Sequence, residues 1–200
     1  MNFIDRFNVY FYHLKREKLW PQDSARIQGW RNTNSQEIRF AIFEQNIDFC
    51  SKSVLDLGCG YGDFYHYLQQ TASIGKYTGI DFHKNFVKQA RKKAGENSHF
   101  VHGNFAELML EMHDIVIASG SLNYRSDDPN YLASMIELGY RKSRKTFGFN
   151  LLDRNYCKPD GLLQSYFPED VVRLCHHWCE EVVLIDNYLD YDFTIIMQKT

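Results

Sequence analysis

The residues with the clearest chemical use lie in "VLDLGCGYGDF", residues 54–64, where an apolar run reaches Asp56 and then breaks into Gly58, Gly60 and Gly62. Glycine has no side chain to hold a ligand away, so backbone N–H groups and a helix N-terminus can approach it closely. A strand that turns through this loop into the helix "DFYHYLQQ" therefore makes a nucleotide or nucleoside site. The spacing is Gly-x-Gly-x-Gly, whereas a dinucleotide fingerprint has Gly-x-Gly-x-x-Gly/Ala, and here Asp63 stands at the last of those positions. An acidic group there faces the pyrophosphate of NAD and disfavours that ligand. Nineteen residues past Gly62, Asp81 closes "YTGID". A carboxylate at the end of a second strand can accept two hydrogen bonds from a ribose diol, which fixes the ribose without choosing between nicotinamide dinucleotides and S-adenosylmethionine. In "VHGNF", Asn104 can pair with an adenine edge while Phe105 packs on the ring.

Other chemistry-bearing groups read differently. "CHHWC" suggests zinc, but Val171, Val172, Cys175, Trp178 and Cys179 fall on one helical stripe. Both thiols then belong to the core, His176 and His177 point to the wetter side, and no metal is expected. "RKSRK", residues 141–145, suits the C-terminus of a helix, where cations complement the dipole. Asn123 and Tyr124, and in the N-terminal segment Tyr12 and His13, are further polar groups that chemistry could use as a base, and the structural reading is the default for each.

These residues need a frame to position them. "SVLDL", "YTGID", "HFVHG", "DIVIAS", "TFGFNLL", "EVVLIDNYL" and "DFTIIMQK" read as strands, mostly separated by helical patterns, which is the order of a doubly wound parallel sheet. The last two are separated only by the region of Asp190, too short for a crossover, and so form an antiparallel hairpin. Pro129 and Pro168 fall where a first helical turn begins. Ahead of the sheet, Phe3, Phe7, Tyr10, Phe11 and Leu14 recur at helical spacing, an aromatic stripe that calls for burial. The reading is an N-terminal helical extension over residues 1–35, positioned either as a cap over the strand ends or against the sheet's flank, and one cofactor-binding domain over residues 36–200.

Composition limits the partners. With 23 basic and 25 acidic residues among 200 the formal charge is −2, so no global field recruits nucleic acid. No apolar run reaches the roughly 18 residues that span a bilayer. Five cysteines, an odd number, fit reduced thiols and a cytoplasmic setting.

Residues 54–64, Asp81, "GNF" and "HDIVIASGSLNY" together resemble the class I S-adenosylmethionine-dependent methyltransferases, over roughly residues 36–200. The resemblance implies a Rossmann-like, mostly parallel seven-stranded sheet with an antiparallel C-terminal hairpin. It implies S-adenosylmethionine as cofactor, with Asp56, Gly58, Cys59, Gly60 and Gly62 around its methionine part and Asp81 on its ribose. Phe82 would lie beside the adenosine, Asn104 and Phe105 at adenine, and Ala118, Ser119, Gly120 and Ser121 along the floor near the sulfonium. Asn104 stands where the family often has Asp. The segment "WRNTNSQEIRF" is similar to a little-characterised bacterial branch, which implies that Arg39 reaches the cofactor carboxylate. The Asn-Pro-Pro-Tyr signature is missing after the fourth strand and no double-glutamate loop is evident, which leaves a small molecule as the expected acceptor. A nicotinamide-dependent oxidoreductase and a catalytically silent S-adenosylmethionine-binding module are the competing readings. The oligomeric state is not legible in the sequence.

Overall fold

A computed structural model describes residues 3–200 of the chain. Seven strands form one sheet in the order β3-β2-β1-β4-β5-β7-β6. They are β1 (Ser53–Leu57), β2 (Lys76–Asp81), β3 (Ser98–His102), β4 (His113–Ala118), β5 (Ser143–Leu152), β6 (Glu181–Leu189) and β7 (Asp192–Gln198). The first five run parallel, and β7 pairs antiparallel with both β5 and β6. The helices are α1 (Phe3–Leu19), α2 (Ser24–Ile27), α3 (Thr33–Asn46), α4 (Asp63–Thr71), α5 (Lys84–Lys92), α6 (Tyr131–Lys142) and α7 (Pro168–Cys175). This is the doubly wound arrangement with a closing hairpin that the strand pattern predicts.

Two apolar layers hold the sheet. On one face Phe40 and Phe43 of α3, Phe64, Tyr65 and Leu68 of α4, and Val87 and Ala90 of α5 pack on Val54, Tyr77 and Phe100. On the other, Leu132, Met135 and Ile136 of α6 and Val171 and Cys175 of α7 pack on Val116, Phe147, Phe149 and Phe193. Central strands covered on both sides become continuous apolar runs, as "IVIA", residues 115–118, is. The cysteines of "CHHWC" join this core: Cys175 and Cys179 are buried while His176 and His177 are exposed. The helix itself stops at Cys175, earlier than the stripe predicts, and Cys179 is reached through a turn.

The structure corrects the sequence reading in three further places. Only Arg141 and Lys142 of "RKSRK" lie in the last turn of α6, because Ser143 already opens β5. Pro129 precedes the N-cap Asn130 rather than lying in the helix. In α1 the buried residues are Asp5, Val9 and His13, whereas Phe3, Phe7 and Phe11 are exposed, Phe3 at 72%. Both sets recur every four residues, so periodicity alone cannot choose between them. The inward face is decided by polar partners: Ser126 Oγ donates to Asp5 at 2.7 Å, and His13 lies 2.8 Å from the Tyr124 hydroxyl.

Candidate active site

The turn after β1 is built from left-handed glycines, with φ of 87° at Gly58 and 56° at Gly60. A Cβ on Gly58 would stand 2.3 Å from Ser121 Cβ, and one on Gly60 would stand 1.9 Å from Gln28 Oε1. At Gly58 both conformation and space exclude a side chain, and at Gly60 the left-handed conformation does. Gln28, in the link between α2 and α3, holds the turn in place: its Oε1 accepts from Tyr61 N at 2.9 Å and its Nε2 donates to Asp63 at 2.6 Å. Asp63 also accepts from Gln36 of α3 at 3.2 Å. The carboxylate that the dinucleotide fingerprint lacks is therefore used to lock the N-terminal segment onto the glycine turn.

Asp81, at the end of β2, accepts from Gly60 N at 3.0 Å and from His83 N at 2.7 Å. Burial raises its pKa to about 6, against the opposing pull of those two N–H groups. Each oxygen keeps a lone pair free for a diol. Asp56, inside β1, accepts from the Tyr77 hydroxyl through Oδ2, while its Oδ1 has no hydrogen-bond partner in the protein. Burial raises its pKa to about 7.

Above these strand ends lies a cavity of about 400 Å³. Of the residues expected at the cofactor, Arg39, Gly58, Gly60, Asp81, Phe82, Asn104, Phe105, Ser119 and Gly120 line it, as does Ser121. Asp56 and Cys59 instead face an adjoining recess of about 20 Å³, which shares Gly58 and Ser119 with the cavity. Gly62 caps α4 and Ala118 is wholly buried at the end of β4, so neither is among the lining residues. The side-chain Oδ1 of Asn104 accepts from Ala106 N at 3.2 Å and keeps a second lone pair, so both it and the amide N–H₂ are open to a ligand. One expectation changes in detail. Arg39 pairs with Asp192 of β7, both buried, and donates to Ser35 O at 2.7 Å, so its charge is largely neutralised within the protein.

The roof of the cavity comes from the N-terminal segment, through Arg6, Tyr12, His13, Arg16, Gly29 and Trp30. Tyr131 and Met135 of α6, with Leu163 and Tyr191, complete the wall. Within it, His13 Nδ1 lies 2.9 Å from the Ile27 carbonyl and must carry the proton there, so Nε2 accepts from Tyr124. Burial holds the His13 pKa down to about 4. His83, stacked on Tyr10 at 4.7 Å, is likewise lowered to about 4 by burial. Asn123 is tied to the end of β5, accepting from Leu152 N at 2.9 Å. Gln28, Trp30, Arg16, Tyr131 and Tyr191 escaped sequence reasoning because they come from separate elements and share no spacing.

The sequence profile of the methyltransferase domain family matches residues 54–138. The Mycobacterium tuberculosis protein named "Putative methyltransferase Rv1506c" is 30% identical over 158 residues, which are 74% of this chain and 93% of that one. The chain belongs to the class I S-adenosylmethionine-dependent methyltransferases. Among solved structures, the magnesium protoporphyrin IX methyltransferase ChlM of Synechocystis PCC 6803 with bound S-adenosylmethionine superposes with a TM-score of 0.68. Identity is 15%, over 98% of this chain and 97% of that one. The complex of DhpI with S-adenosylhomocysteine gives 0.70 at 12% identity, over 94% and 93% of the two chains. S-adenosylmethionine is thus the methyl donor, and the nicotinamide-dependent reading is set aside. The residues present suit that donor. Asp56 Oδ1, unpartnered beside the glycine turn, could receive the ammonium of the cofactor, and Asp81 could accept from a ribose diol.

Proposed function

We propose that this methyltransferase transfers the methyl group to a small molecule held in the cavity between α1 and the strand ends, with residues 1–35 acting as a cap. One observation carries this reading: the wall opposite the glycine turn is made of buried or half-buried aromatic and polar side chains, Tyr12, His13, Tyr124 and Tyr131, beneath a helix. A cavity of about 400 Å³ that must also hold the cofactor leaves room beside it for a small ligand. Macromolecular acceptors need an open groove and, for nucleic acid, a basic surface that a formal charge of −2 does not favour.

On this reading the cofactor half comprises Asp56, Gly58, Cys59, Gly60, Gly62, Asp81, Phe82, Asn104, Phe105, Ala118, Ser119, Gly120 and Arg39, some lining the cavity and others shaping the turn beneath it. S-adenosylmethionine supplies an activated methyl group when bound. The chain's part is to position the acceptor in line and exclude water, which can account for most of the acceleration. Tyr124 holds its proton toward His13 Nε2 and presents its oxygen lone pairs to an acceptor. Because burial keeps His13 near pKa 4, the pair orients an acceptor rather than stripping a proton from it at neutral pH.

The test is label transfer from methyl-labelled S-adenosylmethionine into a cell extract separated by size. The expected result is enzyme-dependent label in the fraction below about 1 kDa, since larger molecules do not fit such a pocket. Label confined to protein or nucleic acid would contradict the proposal.

A further inference from the structure

Four arginines line the cavity, Arg6, Arg16, Arg31 and Arg39, against one carboxylate, Asp81. Two of the four are matched: Arg6 Nη1 lies 2.6 Å from Glu107, and Arg39 pairs with Asp192. Arg31 is at the exposed rim, 5.9 Å from the Tyr191 ring centre. Arg16 is the half-buried one without a counter-charge. Its guanidinium lies over the rings of Tyr12 at 5.0 Å and Trp20 at 4.5 Å, and its Nε donates to the Arg26 carbonyl. Among the described residues no carboxylate comes within ion-pair distance of it. The acids on the same helix are engaged elsewhere, Asp5 by Ser126 and Glu17 by Asn85.

The groups around Arg16 do not compensate it. Tyr12, His13 and Tyr124 are all neutral at pH 7, since burial raises both tyrosines and lowers the histidine. The cofactor brings one carboxylate, offset by its own ammonium and sulfonium, so the bound donor adds no net negative charge to the cavity. A fork of N–H donors partly withdrawn from water, facing a cavity and lacking an acid, is a site for a carboxylate or phosphate. The stacking on Tyr12 and Trp20 fixes the guanidinium plane, so little freedom is lost on pairing.

The geometry points to an organic acid as the methyl acceptor, its carboxylate held by the Nη groups of Arg16 and its body lying among Tyr12, Tyr124 and Tyr131. This inference rests on the small-molecule methyltransferase reading and narrows it. The methyl group passes to a carboxylate oxygen, already a nucleophile at neutral pH and so in no need of a base; the methyl–sulfur bond breaks with its electron pair returning to sulfur, leaving a methyl ester and S-adenosylhomocysteine.

The test uses the full chain saturated with S-adenosylhomocysteine. By calorimetry it compares 4-hydroxybenzoate, 4-hydroxyphenylacetate and 4-hydroxycinnamate with their primary amides, and with phenyl phosphate. At least one acid is expected to bind about tenfold or more tighter than its amide, a difference of about 1.4 kcal/mol. Arg16→Met should abolish that preference and Arg16→Lys should keep part of it, with unchanged thermal melts showing that each variant is folded and unchanged S-adenosylhomocysteine affinity expected in both; a fall in that affinity would put the cofactor's own carboxylate on Arg16 and overturn the inference. Phenyl phosphate binding tighter than the acids would assign the anion as phosphate. Amides binding as well as acids, no binding by any anion, or a preference that survives in Arg16→Met would each overturn the inference. Failure of S-adenosylhomocysteine itself to bind would instead remove the reading beneath it.

Discussion

Asp56 and Asp81 show how the site costs stability that a ligand can restore. Both carboxyls are buried at strand ends, with pKa values raised to about 7 and about 6. A raised carboxyl is fully tolerated below its unfolded value near 3.8, and its contribution is lost as pH rises through the folded value. At pH 8 the folded protein therefore carries an ionised Asp56 whose Oδ1 has no partner. Asp56→Asn keeps an acceptor for the Tyr77 hydroxyl and removes that charge. The expected outcome is a gain of about 1 kcal/mol at pH 8, about 2–4 °C in Tm for a chain of this size, with little gain at pH 5. S-adenosylmethionine should meanwhile bind the variant more weakly. Thermal melts at both pH values check the first part, and equal gains at both would show that Asp56 is not ionised in the folded protein. The glycines, Asp81 and the Asn104–Phe105 pair were legible in the sequence because each ends or closely follows a strand, and in this topology strand ends meet at one crevice. Arg39 entered only through the resemblance; its buried bond to Asp192, 153 positions along the chain, follows from tertiary packing that no local pattern encodes.

Helix α1 is the element that local patterns misread. Of its aromatic stripe Phe3, Phe7 and Phe11 stay in solvent and Tyr10 and Leu14 are half-buried, while Asp5, Val9 and His13 turn inward, because the wall beneath offers Ser126, Tyr124 and the Ile27 carbonyl to receive the polar groups. The periodicity established the helix, and only the partners established its orientation. The segment after it behaves differently: Gln28 bonds directly to the glycine turn, so residues 24–31 belong with the cofactor half. Deleting residues 1–22 should separate the two. S-adenosylhomocysteine affinity is expected to stay within about threefold, under 1 kcal/mol, while turnover on the acceptor falls by about a hundredfold or more. Calorimetry and initial rates provide the readouts. Full activity in the truncated chain would show that α1 contributes nothing to the acceptor side.

At the scale of the whole molecule, the parallel strands carry the cofactor turn, the antiparallel hairpin supplies Asp192 and Tyr191, and the N-terminal segment closes the space between them. The sheet was readable because its strands are apolar runs bounded by turns, whereas the cavity was not, being assembled from residues 6 to 191 with no common spacing. Among the described residues no helix is long and apolar enough to cross a membrane. The proposed seat of the methyl donor, on the glycine turn and Asp81 beneath α1, is open to calorimetric titration of the folded chain and of Asp81→Ala with S-adenosylhomocysteine. Micromolar-range binding is expected, about −8 kcal/mol, weakened by about 1.5–3 kcal/mol in the variant and weakening in the wild type as pH falls below about 6. An absence of heat with folded wild-type protein, or an affinity unchanged in Asp81→Ala, would rule that seat out.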